Sequence, residues 1–314
     1  MVDAAAGRAL WTDVADAVGR AVIGAEVALR LVLVALLADG HVLIEDVPGI
    51  GKTLLVRAVA RSLGLATARI QGTPDLLPTD VTGGSILEGG TLRFVPGPVF
   101  TNLLLVDEIN RATPRTQSAL LEAMQERQVS VEGATRPLPD PFVVLATENP
   151  IEYEGTFALP EAQLDRFLVR VRIGYPDRIA ERAIARRYRS SAEPLEAVPT
   201  VVDPTVLGAA RDEVRRLHVG DEVEVYIVDL TTATRTAPEL QLGASPRATV
   251  SLYRAAQAWA WLDGRGFVRP DDVKAVAVPV LAHRLVVDLD QSLRGATAEG
   301  VVVAILDSVA APPT

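Results

Sequence analysis

The chain contains no cysteine and only three histidines among its 314 residues. Disulfides and thiolate metal sites are therefore excluded, and His41, His218 and His283 are too scattered to match metal-ligand spacing. The start of the chain lacks the basic segment and apolar core of a signal peptide, so we predict a cytoplasmic location. The most apolar run, residues 27–38, is too short to span a membrane and contains Arg30, which indicates a buried helix.

The chain also has few basic residues: 31 lysines and arginines against 40 aspartates and glutamates give a net charge of −9. Nucleic-acid backbones bind through clustered lysine and arginine, so this balance argues against a nucleic-acid partner. The one basic cluster lies on a predicted helix, mixed with apolar residues, and we interpret it as solvated or as facing another subunit. Its members are Arg182, Arg186, Arg187 and Arg189.

The most informative segment present is residues 45–53, with the sequence EDVPGIGKT. A short apolar run, 42–44, precedes it, and residues 54–63 that follow have apolar side chains at helical spacing. The N-terminus of a helix offers unpaired N–H groups and the positive end of the helix dipole, which suit a polyphosphate. The segment therefore predicts a phosphate-binding loop between a strand and a helix.

Each part of this loop has a predicted task. Gly49 and Gly51 let the backbone wrap closely around phosphates, Lys52 would reach the β- and γ-phosphates, and the Thr53 hydroxyl would coordinate Mg²⁺. Asp46 stands where the common G-x-x-x-x-G-K-[ST] pattern has glycine, so we expect its side chain to point away from the phosphates. An ordinary strand–helix turn is the alternative for a Gly-Lys-Thr sequence.

Polar side chains follow two further apolar runs. Residues 103–106 end at Asp107 and Glu108, which we expect at the edge of a central strand. In a phosphate-loop enzyme Asp107 would hold Mg²⁺ and Glu108 would polarise the attacking water. Residues 142–147 lead to Asn149, whose amide could bond the γ-phosphate and the lytic water. The alternatives are a solvated turn for the acids and a simple Asn-Pro turn.

Together these motifs resemble the MoxR branch of the AAA+ ATPases, in the clade that carries an insert in its second helix. The similarity runs over residues 22–176 and returns at 243–248. Its most specific stretches are 45–53, 73–78, 96–98, 107–111, 117–127, 149–155 and 159–167. Asp46 fits this family, in which an Asp-Val-Pro-Gly loop is common.

The resemblance implies ATP and Mg²⁺ as ligands and assigns a role to each matching residue. Thr53 and Asp107 would hold the metal. The residues that it places around the nucleotide are Val22, Ile23, Gly24, Pro48, Gly49, Ile50, Gly51, Lys52, Thr53, Leu54 and Asp107.

Four residues carry catalysis in this family pattern. Glu108 belongs to Walker B, and Asn149 matches the sensor-1 asparagine. Arg166 matches the arginine finger, which reaches into a neighbouring subunit, and Arg247 matches sensor 2 of the lid. We expect Arg247, at a helix start, to point back at the phosphates. Glu148 stands where the family pattern has glutamine. For both arginines a solvated surface position is the alternative.

Strands and helices alternate up to about residue 175, which predicts an α/β fold with a five-stranded parallel sheet sandwiched by helices. An all-helical lid would follow. The predicted strands are 42–45, 68–71, 103–106, 142–147 and 168–173, and two hairpins are predicted at 83–95 and 128–136. The predicted later helices are 178–190, 204–217, 221–236, 245–262, 269–280 and 297–309.

We expect a nucleotide-binding core over residues 1–176, a linker and connecting helix over 177–200, and the lid over 201–314. By resemblance, the first hairpin is the helix-2 insert, at about 80–96, and the second, at about 127–139, precedes sensor 1.

These observations predict a Mg²⁺-dependent ATPase that remodels protein partners as a homo-oligomer, a hexameric ring by resemblance. The family further implies clients with von Willebrand factor A-type domains, and help with metal or cofactor insertion or complex assembly. Two alternatives stay open. Glu108 argues against a nucleotide-gated scaffold with little turnover, and the nearly balanced charges of the two hairpins argue against a nucleic-acid-translocating motor.

Overall fold

The structure is a computed structural model that describes residues 4–47, 49–149, 155–187 and 193–313. Pro48, which we assigned to the phosphate loop, lies outside the described residues, as do Arg189 and the predicted helical residues 188–190. The strands are β1 (Val42–Glu45), β2 (Thr67–Gln71), β3 (Gly83–Glu88), β4 (Thr91–Pro96), β5 (Leu103–Asp107), β6 (Gln128–Val131), β7 (Ala134–Pro137), β8 (Val143–Glu148), β9 (Val169–Val171), β10 (Leu240–Leu242) and β11 (Val286–Val287).

Helices surround these strands along the whole described chain. They are α1 (Ala4–Gly19), α2 (Glu26–Leu37), α3 (Lys52–Ser62), α4 (Pro78–Thr82), α5 (Pro114–Glu126), α6 (Glu161–Leu164), α7 (Arg178–Arg187), α8 (Pro204–Arg215), α9 (Asp221–Thr236), α10 (Pro246–Leu262), α11 (Pro270–Leu281), α12 (Leu289–Leu293) and α13 (Ala298–Ser308). Within the described part of the chain, no helix is long and apolar enough to cross a membrane.

The central sheet is parallel, with the strand order β2-β5-β8-β1-β9. Alternate residues of the three inner strands, β1, β5 and β8, enter different hydrophobic clusters: Leu105 and Ile44 pack on one face, whereas Leu104 and Leu43 pack on the other. Burial on both faces explains why these strands are continuous apolar runs. The predicted α/β fold is confirmed, and the bounds of the five strands differ from the prediction by at most two residues.

Both predicted hairpins are present. Strands β3 and β4 pair with Leu87 opposite Leu92, and β6 pairs with β7. Side chains connect the two hairpins, because the Ser85 hydroxyl bonds the Glu132 carboxylate and the Arg136 guanidinium lies 3.9 Å from the centre of the Phe94 ring. The hairpins therefore form one unit, which the sequence pattern did not predict.

The lid is helical, as predicted, and it also contains a short antiparallel ladder between β10 and β11. Strands of two or three residues leave no periodic signal, so the sequence pattern predicted only helices there. Helix α10 begins at Pro246, with the Ser245 hydroxyl accepting the Ala248 N–H as a cap. The helices α8, α9, α10, α11 and α13 start and end within two residues of their predicted bounds, whereas the short helix α12 was not predicted.

The lid shares its hydrophobic core with the sheet domain. One continuous cluster contains buried side chains of α1, α2 and α3, one face of the sheet, and the lid helices α8, α9, α10, α11 and α13. A polar contact supports this junction: Arg30 of α2 forms an ion pair with Asp263, and its guanidinium lies 3.9 Å from the centre of the Trp259 ring. Separation of the lid from the sheet would expose this core to water.

His41, just before β1, is buried and fully hydrogen-bonded. Its Nε2 lies 3.0 Å from the carbonyl oxygen of Met124, and its Nδ1 accepts the N–H of Val144 at 3.0 Å. A neutral ring with the proton on Nε2 satisfies both bonds. Burial and the charge of Arg127 lower the pKa of His41 to about 3. Both ring nitrogens of His41 thus hold the start of β1 against the residues around it.

Acidification should therefore destabilise the fold through His41. The unfolded ring binds a proton near its ordinary pKa of 6.5 whereas the folded ring does not, so stability is lost as the pH falls below 6.5. Between pH 7 and pH 5 we expect the unfolding free energy of the wild type to fall by about 2 kcal/mol more than that of His41→Asn. Urea denaturation of both proteins at each pH measures this difference.

An identical pH dependence in wild type and His41→Asn would contradict a neutral buried ring.

Candidate active site

The predicted phosphate loop lies between β1 and α3. Gly49 and Gly51 have φ angles of 87° and 89°, in the left-handed region that favours glycine, and no heavy atom lies within 4 Å of a Cβ built at either position. Helix α3 begins at Lys52, two residues before the predicted start. Lys52 and Thr53 therefore belong to its first turn, where backbone N–H groups have no partner within the helix.

The Lys52 side chain is directed along this loop. Its Nζ donates to the carbonyl oxygen of Asp46 at 2.7 Å. Burial lowers the pKa of Lys52, and the nearby carboxylates of Asp46, Asp107 and Glu108 act in the opposite direction. The loop follows β1 and the two acids lie at the end of β5, and both strands end at the same edge of the parallel sheet, with β8 between them.

The two acids lie at the carboxyl end of β5. Asp107 is the last residue of this strand, and its carboxylate accepts Arg69 Nε at 2.6 Å and the Thr147 hydroxyl at 3.4 Å. Glu108 has a φ of 56°, and its N–H donates to the same hydroxyl at 2.9 Å. Thr147 therefore fixes both acids from the neighbouring strand. We missed it in the sequence because a threonine within an apolar run indicates only a strand.

Asn149 follows β8, which lies between β1 and β5 in the sheet. It is buried, and this strand order places it between the phosphate loop and the acids.

The preceding residue, Glu148, is opposite Glu45 in the β1–β8 ladder. Burial and the Glu45 carboxylate raise the pKa of Glu148 to about 7, with Arg170 opposing them. A protonated carboxyl can donate a hydrogen bond, as the expected glutamine amide would.

Two segments that the family resemblance places around the nucleotide, residues 22–24 and the phosphate loop, contribute to one cavity of about 350 Å³. A smaller adjoining cavity is lined by Gly24 together with residues of both segments. The connector after β9 and helix α7 form the opposite wall, which the sequence did not reveal because these residues carry no motif. The predicted residues in the larger cavity are Val22, Ile23, Gly49, Ile50, Gly51 and Leu54, and the added ones include Tyr175, Pro176, Glu181, Ile184 and Arg187.

Arg166 and Arg247 lie together in a different cavity, of about 340 Å³. It is also lined by Asp39, Gly40 and His41, which precede β1, so it opens at the amino edge of the sheet. The phosphate loop follows β1 at the other edge, and none of residues 49–54 lines this cavity. The structure therefore separates both arginines from the loop of their own chain.

This position differs from our expectation that Arg247 points back at its own phosphates. The reason is the packing of α10, which buries its apolar face against α2 and the other lid helices. At its start, the Ser245 hydroxyl donates to the Asp165 carboxylate at 3.1 Å. Asp165 is also held by Arg284 Nε at 2.8 Å. These contacts fix Arg247 beside Arg166.

Comparison with known proteins matches this geometry. The model of the ATPase family associated with various cellular activities (AAA) matches residues 41–169, and the model of the AAA lid domain matches 232–304. Chaperone MoxR1 of Mycobacterium tuberculosis is 43% identical over 306 residues, which cover 94% of this chain and 80% of that protein. The chain belongs to the MoxR family of AAA+ ATPases. Like other members of the MoxR family, it is an ATPase.

Two further similarities extend over nearly the full length of this MoxR-family chain. Protein MoxR of Methylorubrum extorquens is 36% identical and covers 98% of each chain. A crystal structure from Cytophaga hutchinsonii, provisionally described as an ATPase, has a TM-score of 0.93 and 37% identity, and covers 99% of this chain and 97% of that one. The arrangement of sheet and lid is therefore shared within the family.

Gly72, just after β2, makes a close backbone contact with the Walker B acids. Its N–H donates to the carbonyl oxygen of Asp107 at 2.6 Å, and a Cβ at this position would lie 2.1 Å from the carbonyl oxygen of Glu108. Gly72→Ala should therefore displace Glu108 and lower kcat on the order of 100-fold, with a smaller effect on ATP affinity. Steady-state ATPase assays and ATP titration measure the two effects separately.

Gly208→Ala is a matched control, because its Cβ meets open space within α8. It should keep full activity and stabilise the fold by about 1 kcal/mol. Wild-type kcat in Gly72→Ala would show that the position of Glu108 does not depend on this contact.

Proposed function

We propose that the chain is a Mg²⁺-dependent ATPase that works as a closed homo-oligomeric ring and couples hydrolysis to the remodelling of protein partners. One observation carries this proposal. Lys52 and Glu108 follow β1 and β5 at the carboxyl edge of the sheet, whereas Arg166 and Arg247 line one cavity at the amino edge. Each chain thus presents two incomplete halves of a site on different surfaces, and a second copy can complete them.

The carboxyl edge supplies binding and water activation. Lys52 would exchange the Asp46 carbonyl oxygen for phosphate, while the loop N–H groups bind the remaining phosphate oxygens. The Thr53 hydroxyl and the Asp107 carboxylate are oxygen donors of the kind that Mg²⁺ prefers, and the ion would neutralise phosphate charge. Glu108 would polarise the attacking water, and Asn149 would orient it.

The amino edge supplies cations. Neither Arg166 nor Arg247 forms an ion pair within the described residues, and the buried Nε of Arg166 has no hydrogen-bond partner there. We propose that both side chains contact the nucleotide of the next subunit. A cation added in this way raises phosphoryl-transfer rates on the order of 10³–10⁵-fold in analogous enzymes. Hydrolysis would then depend on assembly.

Different surfaces meet in this contact, which makes the interface heterologous. Repetition of such a contact closes a ring when the rotation between subunits allows it, and we propose six subunits from the family pattern. We keep the division into core (1–176), connecting segment (177–200) and lid (201–314) within this proposal, together with the predicted cytoplasmic location.

The joined hairpins support protein clients over nucleic acid. Arg93 pairs with Glu88 at 2.9 Å and Arg136 stacks on Phe94, so both hairpin arginines are already engaged. The hairpin end instead exposes apolar Leu87 and Leu92. A relative at 43% identity is named a chaperone. We therefore propose protein clients, with von Willebrand factor A-type domains and with metal or cofactor insertion or complex assembly as the family-derived candidates.

Binding and hydrolysis should separate in two single variants. Lys52→Ala removes the charge that meets the phosphates, so we expect ATP affinity to fall at least about tenfold. Glu108→Gln keeps the loop intact and should bind ATP normally while turnover falls on the order of 100-fold or more. Calorimetric titration and phosphate release measure these effects. Hydrolysis at the wild-type rate by Glu108→Gln would contradict the assigned role of this acid.

Mixed oligomers test which subunit each arginine serves. If both arginines act on the neighbour, Lys52→Ala mixed with either Arg166→Ala or Arg247→Ala should regain ATPase activity, because some interfaces pair an intact loop with two intact arginines. Arg166→Ala mixed with Arg247→Ala should stay inactive, since every interface then lacks one arginine. The measurement is ATPase rate against mixing ratio, after sizing has confirmed that subunits exchange.

A different pattern of rescue is expected if Arg247 acts on the nucleotide bound to its own chain. In that case Arg166→Ala and Arg247→Ala would complement each other, while Lys52→Ala and Arg247→Ala would not. Absence of rescue in all three mixtures would mean that Arg166 acts within its own chain.

A further inference from the structure

Asp46 occupies the position where the common phosphate-loop pattern has glycine. Both oxygens of its carboxylate accept hydrogen bonds from backbone N–H groups. One oxygen accepts the N–H of Val47 at 2.9 Å. The other accepts the N–H groups of Ile173 and Gly174, each at 2.7 Å. The side chain therefore points away from the phosphate side of the loop, as we expected, and connects the loop to the segment after β9.

These bonds begin where the ladder between β1 and β9 ends. The last paired residues are Ile44 and Val171, so the N–H groups of Ile173 and Gly174 have no partner from the sheet. A carboxylate provides charge-assisted bonds to both groups. Without it, two backbone donors in this partly buried region would lose their partners, and this part of the chain would no longer be attached to the loop.

The segment after β9 lines the two adjoining cavities beside the phosphate loop, which we call the nucleoside cavities. Ile173, Gly174 and Pro176 line the smaller cavity together with Ile23 and Ile50. The chain then enters α7, whose Ile184 lines both cavities. The Asp46 carboxylate therefore joins the element that would hold the phosphates to the element that would enclose the base and ribose.

The residue before Asp46 strengthens the same junction. Glu45 pairs with Arg170 at 3.2 Å and with Arg172 at 2.7 Å. Arg172 also pairs with Glu299 of the lid at 3.0 Å. Two successive acids at the base of the loop thus attach it to β9 and, through β9, to the lid.

We propose that Asp46 is a positioning residue that sets the spacing between the phosphate loop and the nucleoside wall, so that the triphosphate and the nucleoside bind as one unit. This inference rests on the proposed ATP site. Asp46→Gly would complete the common G-x-x-x-x-G-K-T pattern, and yet it should weaken ATP binding.

The test compares a ligand that spans both elements with one that contacts the loop alone. Asp46→Gly should lower the affinity for Mg²⁺–ATP at least about tenfold, because hydrogen bonds to a charged group are lost. The affinity for Mg²⁺–tripolyphosphate, which has no nucleoside, should be nearly unchanged. Asp46→Asn keeps one acceptor oxygen for Ile173 and Gly174 and should recover most of the ATP affinity. Calorimetric titration measures all three.

Asp203 offers a matched control in the lid. Its carboxylate also accepts a backbone N–H, that of Thr205 at 2.8 Å, and neither nucleoside cavity includes it. Asp203→Gly should lower the unfolding temperature and keep wild-type affinity for both ligands. The comparison separates a general loss of stability from a loss of positioning.

Two results would overturn the inference. One is wild-type ATP affinity in Asp46→Gly, and the other is an equal loss for ATP and tripolyphosphate, which would mean that Asp46 supports only the loop itself. If Asp46→Gly does not fold, an Asp46→Asn protein with the full loss of ATP affinity would contradict the rescue. A wild type that binds no ATP would instead refute the proposed function.

Discussion

Burial of α2 on nearly every side is the constraint on which the rest of the structure depends. Nine of its twelve residues are buried, from Ala28 to Leu37, and they join one face of the sheet to the lid. A helix that is apolar all round must be enclosed by other elements, and here α10 and α8 supply part of that enclosure. The position of α10 then decides where Arg247 lies, so the placement of this arginine depends on core packing.

The parallel sheet imposes the second constraint. The carboxyl ends of β1, β5 and β8 meet at one edge because these strands are adjacent and run the same way. The phosphate loop, the two acids and Asn149 therefore lie at the same edge of the sheet because of the strand order alone. The arginines cannot join them within one chain, since their cavity opens at the opposite edge. In the proposed ring, the topology of the sheet would therefore make hydrolysis depend on assembly.

Features encoded by neighbouring residues could be predicted from the sequence. The strand–loop–helix around Lys52 and the acids after β5 are local patterns of apolar spacing and glycine, and the structure contains them. Features that depend on distant contacts could not be predicted. The surroundings of Arg247 follow from helix packing, and the task of Thr147 follows from the pairing of β5 with β8. The family resemblance gave Arg247 a role but no orientation.

The two joined hairpins have a structural consequence. Strand β7 ends at Pro137, and residues 138–142 connect it to β8, which ends at Glu148 just before Asn149. Phe94 and Arg136 attach the exposed end at Leu87 to this path. The exposed Leu87 and Leu92 are therefore connected through the two hairpins to the segment that precedes β8. In the proposed function, a client bound at the hairpin tip and the Asn149 amide would be linked through one continuous stretch of chain.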